Sequence, residues 1–322
     1  MTFNDNAQLD TSQVESGGSG GFGGGRGGMG GGTAVGGIGG LILMLIFAFF
    51  GIDITGSGGG SSYPGGASGL NQYSQDTQDV SGSNDRVSQQ IQACKTGADA
   101  NEDDTCRVIG TVNAVQAYWD QALPDFTGGR TEYEYAPTKL YSGQTSSGCG
   151  TASSQMGPFY CPNDRKVYID TSFFQELSST YGADGGNLAQ MYVVAHEYGH
   201  HIQDLLGALG RAQQDPKGPE SGSVRLELQA DCYAGIWVNH ATEAKDKNGN
   251  TLLKTVTESD IKSALSAASA VGDDRIQQKA QGRVTPESWT HGSSQQRQKW
   301  FLTGFQSGEL NSCDTFNAQD LG

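Results

Sequence analysis

Basic side chains are scarce in this chain of 322 residues: 20 Lys and Arg stand against 35 Asp and Glu, for a formal net charge of −15. A surface so short of cations cannot neutralise a phosphate backbone, which argues against nucleic acid as a partner. Cysteine is present six times, yet no two form a C-x-x-C pair, which disfavours a cysteine zinc site or a redox motif. No internal repeat is visible. Glycine is plentiful at 49 but crowded toward the N-terminus, so it describes a tail more than a folded domain. Charge is missing altogether from residues 33–52, whose centre reads L-I-L-M-L-I-F-A-F-F.

That uncharged run organises the first expectation. Twenty such residues can just cross a bilayer core of about 30 Å, so 33–52 is expected to be one transmembrane helix. The rival is a cleaved signal peptide. Against it, the dense apolar run begins only at Leu41 and no A-x-A site follows. Residues 1–32 are expected to be a disordered Gly-rich cytoplasmic tail. Residues 53–69 read as a Gly/Ser-rich linker, and 70–322 as the folded domain. Arg26 precedes the run and the next basic residue after it is Arg86. The positive-inside rule then places the N-terminus in the cytoplasm and the domain outside, in a single-pass arrangement at the cell membrane. The cysteines agree. Cys94, Cys106, Cys149, Cys161, Cys232 and Cys313 all follow the run, and disulfides belong outside the cytosol. Proximity pairs Cys94 with Cys106 and Cys149 with Cys161, leaving Cys232 and Cys313. Six cysteines allow other connectivities, and free buried thiols are the alternative. The oligomeric state cannot be read from the sequence.

The stretch with chemistry is V-A-H-E-Y-G-H-H-I-Q, residues 194–203. It contains H-E-x-x-H as His196, Glu197 and His200. Histidines four apart on a helix share one side, close enough for both imidazoles to reach one zinc ion. Glu197 can then lean over the open side and take a proton from water. The motif occurs by chance in helices. Here, however, Met191, Tyr192, Val193, Val194 and Ala195 run into it and Ile202, Leu205 and Leu206 follow. A helix so apolar is buried, and buried histidines need partners. His201 lies about 100° round the helix from His200 and cannot easily share the ion; a structural, hydrogen-bonded role and a functional one stand evenly for it.

Around this stretch, helices are expected at 103–123 (closed by Pro124), 172–181, 187–209, 223–240, 260–271 and 295–305. Short strands are expected at 139–141 and 166–170, and a polar loop at 211–222. Strands are few and helices long, so the class is α+β, mostly helical with a small sheet. The helix at 223–240 carries L-E-L-Q-A-D. Glu227 and Asp231 are four apart on one face, amid Leu226, Leu228, Ile236 and Trp237. One carboxylate can be the third ligand while the other accepts a hydrogen bond from a ligand histidine's second nitrogen. The alternative is a capping or salt-bridged pair, with Arg225 in reach.

V-V-A-H-E-Y-G-H-H-I-Q together with L-E-L-Q-A-D-C-Y-A-G resembles the putative neutral zinc metallopeptidase family of bacterial membrane proteins. The likeness extends to A-C-K-T-G-A-D-A-N from Ala93, C-R-V-I-G-T-V-N-A-V-Q-A-Y-W from Cys106, S-G-C-G-T-A-S-S from Ser147, G-P-F-Y-C-P from Gly157 and T-H-G-S-S-Q-Q-R from Thr290. It covers nearly the whole chain and implies a zincin-like metallopeptidase domain preceded by one transmembrane helix. The Glu227/Asp231 pair is also similar to gluzincins and to the CAAX-prenyl protease family. That last family has a T-H-P segment with an arginine six residues past the histidine. His291 and Arg297 keep the spacing, with Gly292 in the proline's place and without the multi-span body. This likeness implies that His291 steadies an oxyanion and that Arg297 holds substrate or a carboxylate.

The reading is therefore a membrane-anchored metallopeptidase hydrolysing peptides or proteins with Zn2+ on His196, His200 and Glu227. Glu197 is the general base and Asp231 supports a ligand. The alternative is a catalytically silent, metal-stabilised binding module at the cell surface.

Overall fold

The computed structural model describes residues 1–17 and 84–322. Its sheet has four strands in the order β1 (Val14–Ser16), β2 (Thr138–Tyr141), β6 (Lys166–Asp170), β5 (Phe159–Cys161). β1–β2 and β2–β6 are parallel, and β5–β6 is antiparallel. A separate hairpin joins β3 (Gln144–Ser147) to β4 (Gly150–Ser153). The expected strand at 166–170 is thus internal to the sheet, and the edge beside the functional site is β5, which local sequence did not reveal.

Residues 84–93 are helical, and the helices that follow are α1 (Gly97–Glu102), α2 (Asp104–Thr127), α3 (Phe173–Ser179), α4 (Asn187–Leu205), α5 (Gly210–Gln214), α6 (Gly222–Asn239), α7 (Glu258–Ala270), α8 (Asp273–Gln281) and α9 (Ser294–Ser307). Helices α2, α6 and α7 pack around α4, and α9 lies along α6. α+β with a small sheet therefore holds. Pro124 does not close α2, which runs one turn further to Thr127 and ends at Gly128 in the left-handed conformation. The carbonyl that Pro124 leaves without an amide partner belongs to Asp120, which faces solvent and can bond to water. The loop expected at 211–222 contains α5. Helix α8 was not expected, because D-D-R-I-Q-Q-K-A-Q has almost no apolar face.

The N-terminus overturns an expectation. Residues 1–17 are not a disordered tail: Met1, Phe3, Ala7, Leu9 and Val14 are buried in the main core. Asn101 bonds both backbone groups of Phe3, and Asn113 does the same for Asp10. β1 then adds to β2. Enough apolar side chains occur among these residues to offset their ordering, which Gly-rich composition over the wider window concealed.

The expected transmembrane helix at 33–52 and linker at 53–69 lie outside the described residues. Among the described residues no helix is long and apolar enough to cross a membrane. Moreover, β1 is hydrogen-bonded to the body that follows, so the two flanks share one side of any membrane. A single crossing between them would separate them. The expectation of a preceding single span with a cytoplasmic N-terminus is corrected accordingly. All three disulfides form as proximity suggested, Cys94–Cys106, Cys149–Cys161 and Cys232–Cys313. They fit an oxidising compartment, which the N-terminal segment shares.

Candidate metal centre

Helix α4 is buried on nearly every side. It meets α6 where Gly199 faces Ala230: a Cβ on Gly199 would lie 2.9 Å from the Cα and O of Ala230. Only glycine lets the backbones approach so closely. That approach brings Glu227, one turn before Ala230, to the two histidines. Glu227 Oε2 lies 3.2 Å from His196 Nε2, and Oε1 lies 3.4 Å from His200 Nε2. The three side chains offer ligand atoms all within 4.8 Å of one another.

Both rings are fixed from behind. His196 Nδ1 is 2.8 Å from Asp231 Oδ1. His200 Nδ1 is 2.9 Å from Gln203 Oε1, and Gln203 is itself held by donating to Leu226 O and Gln229 Oε1. Each Nδ1 thus has an oxygen to donate to, and each Nε2 is the nitrogen turned toward Glu227. Two imidazole nitrogens and one carboxylate with the remaining side open is the donor set of a catalytic zinc site, and the carboxylate behind His196 is the support such ligands normally have. The residues present therefore fit the ion. Gln203 went unnoticed in the sequence, although its place three residues after His200 on one helix was a usable signal.

Asp231 is fully buried. Arg297 binds it in bidentate fashion, Nε to Oδ2 at 2.8 Å and Nη2 to Oδ1 at 2.9 Å. The hydroxyl of Tyr192 also donates to it. Burial works against the Asp231 charge, but Arg297 and His196 outweigh it and hold the carboxyl below its usual range. Arg297 accordingly meets a carboxylate of its own chain. His196 is opposed by burial too, but Asp231 and Glu227 pull its pKa up to about 9. Glu227 is likewise disfavoured by burial, yet His200, His196 and His291 keep it far below the ordinary carboxylate range. Burial raises Glu197. Among the described residues its carboxylate makes no hydrogen bond, and it lines the cleft with His196, His200, Glu227 and His291.

His291 is positioned by a residue the sequence did not single out. Asp273, the first residue of α8, is buried. Its Oδ2 accepts the amides of Thr290, His291 and Gly292 at 2.8, 2.7 and 3.0 Å. Its Oδ1 lies 3.3 Å from His291 Nδ1. One carboxylate therefore shapes the whole turn and orients the ring. His201 stands apart from the ion site, between the Tyr160 hydroxyl and the Glu134 carbonyl: it is a hydrogen-bonded core residue.

Comparison with known proteins places the chain in a family. An uncharacterized protein of Mycobacterium tuberculosis (strain H37Rv) is 51% identical over 323 residues, covering all of both chains. The uncharacterized protein YpfJ of Escherichia coli K12 is 39% identical over 282 residues, 86% of this chain and 85% of that one. No solved structure matches. The family model described as "Putative neutral zinc metallopeptidase" matches residues 4–316, a span that takes in the buried N-terminal segment, helices α4 and α6 and the Asp273–His291 pair. The chain thus belongs to that family, whose metal is zinc.

Proposed function

We propose that the chain hydrolyses peptide bonds at the His196–His200–Glu227 centre, with Glu197 as general base. Zinc, when bound, supplies a Lewis acid that acidifies water and polarises the scissile carbonyl. Glu197 takes the proton of the attacking water and passes it to the leaving amine. Burial, which favours the protonated form of Glu197 at the intermediate stage, suits it to hold that proton between the two steps. His291, held by Asp273, donates toward the oxygen on which negative charge develops. Asp231 and Gln203 keep the ligand rings in one tautomer, and Arg297 keeps Asp231 ionised.

The observation that carries the reading is the uncommitted carboxylate of Glu197 beside a complete donor set. A silent metal-stabilised module would need the donors but not this group. The test uses zinc-loaded protein, wild type and Glu197→Gln, on a mixture of peptides followed by mass spectrometry. Glu197→Gln should keep its zinc and lose about 10²–10⁴-fold in turnover. Glu227→Gln should instead lose zinc affinity, and with it the zinc-dependent part of its thermal stability. Equal peptide cleavage by wild type and Glu197→Gln would sink the assignment.

A further inference from the structure

Resting on that reading, we infer that the enzyme selects peptide bonds next to a large apolar side chain. The cleft that holds the metal centre continues into a wall made of Met156, Pro158, Phe159, Leu209, Val271 and Ile276. All six are partly exposed. Six partly exposed apolar side chains gathered in one cleft, beside the reacting groups, mark a contact surface for a ligand.

Charge on the wall decides the class. Besides the phenols of Tyr160 and Tyr192, which burial keeps protonated, the ionisable residues lining the cleft are His196, Glu197, His200, Glu227, His291 and Arg297. All belong to the centre and its support, and Arg297 is committed to Asp231. A lysine or aspartate side chain lying on the wall would lose water and meet no counter-charge there. An aliphatic or aromatic one would exchange water for carbon contacts. The side chain next to a scissile carbonyl branches from the Cα bonded to the reacting carbon, which keeps it within reach of a wall that borders the centre.

Size narrows the class further. The cleft encloses about 160 Å³. A cavity of roughly 150 Å³ takes one benzene ring, so there is room for one leucine- or phenylalanine-sized group. The β5 side of the wall is also constrained. Pro158 and Pro162 flank β5, and the Cys149–Cys161 disulfide ties that strand to the β3–β4 hairpin. A preformed wall saves the ordering cost that a loose one would impose on binding.

The test is calorimetry on the zinc-loaded full chain with N-acetylated amino-acid hydroxamates, which anchor on zinc and present a single side chain. The leucine and phenylalanine derivatives should bind about tenfold or more tighter than the glycine derivative. The aspartate and lysine derivatives should gain nothing over glycine. Ile276→Lys, at a partly exposed position, should weaken leucine and favour aspartate while leaving zinc content unchanged. Ile276→Ala should weaken leucine and phenylalanine without favouring aspartate. Equal affinities for glycine and leucine, a preference for a charged side chain, or no binding by zinc-loaded protein overturns the inference. If the protein binds no zinc at all, the peptidase reading falls first and the inference with it, and metal analysis separates the two failures.

Discussion

Gly199→Ala tests whether the centre depends on how closely two helices approach. The new methyl would sit 2.9 Å from both Cα and O of Ala230. Carbon atoms prefer about 3.5–4.0 Å, so the deficit is about 0.6 Å or more. Both opposing atoms are backbone, and no rotamer change can relieve the contact. Helices α4 and α6 must separate or rotate, at a cost of about 1–3 kcal/mol for overpacking. Glu227 lies on α6 within a turn of the contact, while both histidines lie on α4. The same displacement therefore opens the ligand triangle, whose metal distances tolerate only about 0.2 Å. Zinc affinity should fall about tenfold or more. The assay is competition with a chromophoric chelator, together with melting temperature with and without zinc. Gly210→Ala is the control: nothing lies within 4 Å of its added carbon, so it should leave zinc affinity alone and raise stability slightly. Wild-type zinc affinity and melting temperature in Gly199→Ala would refute the reasoning.

The other expectations concern protons, the turn at His291 and the N-terminus. In metal-free protein the His196 pKa is raised from 6.5 to about 9, so its stabilising charge is fully present below about pH 6.5 and lost as pH rises through about 9. Melting temperature of the metal-free protein should therefore fall across that window, while zinc affinity, which requires that proton to leave, should rise about tenfold per pH unit up to about 9. Asp273→Ala should leave zinc content intact but lower kcat and melting temperature, because buried amides lose their acceptor at about 1–3 kcal/mol each. Asp273→Asn should recover much of the stability but not kcat, and full kcat in either variant would remove Asp273 from the machinery. Phe3→Ala should cost about 3–5 kcal/mol, seen as a loss on the order of 10 °C in melting temperature, whereas a free tail would give no change.

How much was legible follows from where the partners lie. His196, Glu197 and His200 are one turn apart on one helix, and helical spacing alone brings them together. Glu227 and Asp231 were legible for a related reason: two acids four apart in an apolar helix require a partner. The disulfides between near neighbours fell to the same local logic. Asp273 was not legible. It lies on a short polar helix without an apolar stripe, and it finds Thr290, His291 and Gly292 only through tertiary folding. The N-terminal segment failed likewise: β1 is three residues long and pairs with a strand more than a hundred residues away. Composition measured across 1–32 averaged a packed segment together with a Gly-rich one. Arg297 was half legible: its expected carboxylate is present, but it belongs to Asp231.

The buried charges give one reason why these parts occur together. Glu197, Glu227, Asp231 and Asp273 are four carboxylates, each nearly or wholly buried. Isolated, each would be costly in a low-dielectric interior. Arg297 offsets one of them at Asp231. His291, whose protonated form burial opposes but Asp273 favours, offsets a second. Two negative charges then remain at Glu197 and Glu227, and a dication is what balances them. Without it, protons must substitute, which is the direction in which burial moves Glu197 and Asp231 moves His196. The same argument explains an arginine at 297 where a lysine would carry equal charge. Its planar fork holds both oxygens of Asp231 at once, so that carboxylate stays ionised and aimed at His196 while the charge around it changes.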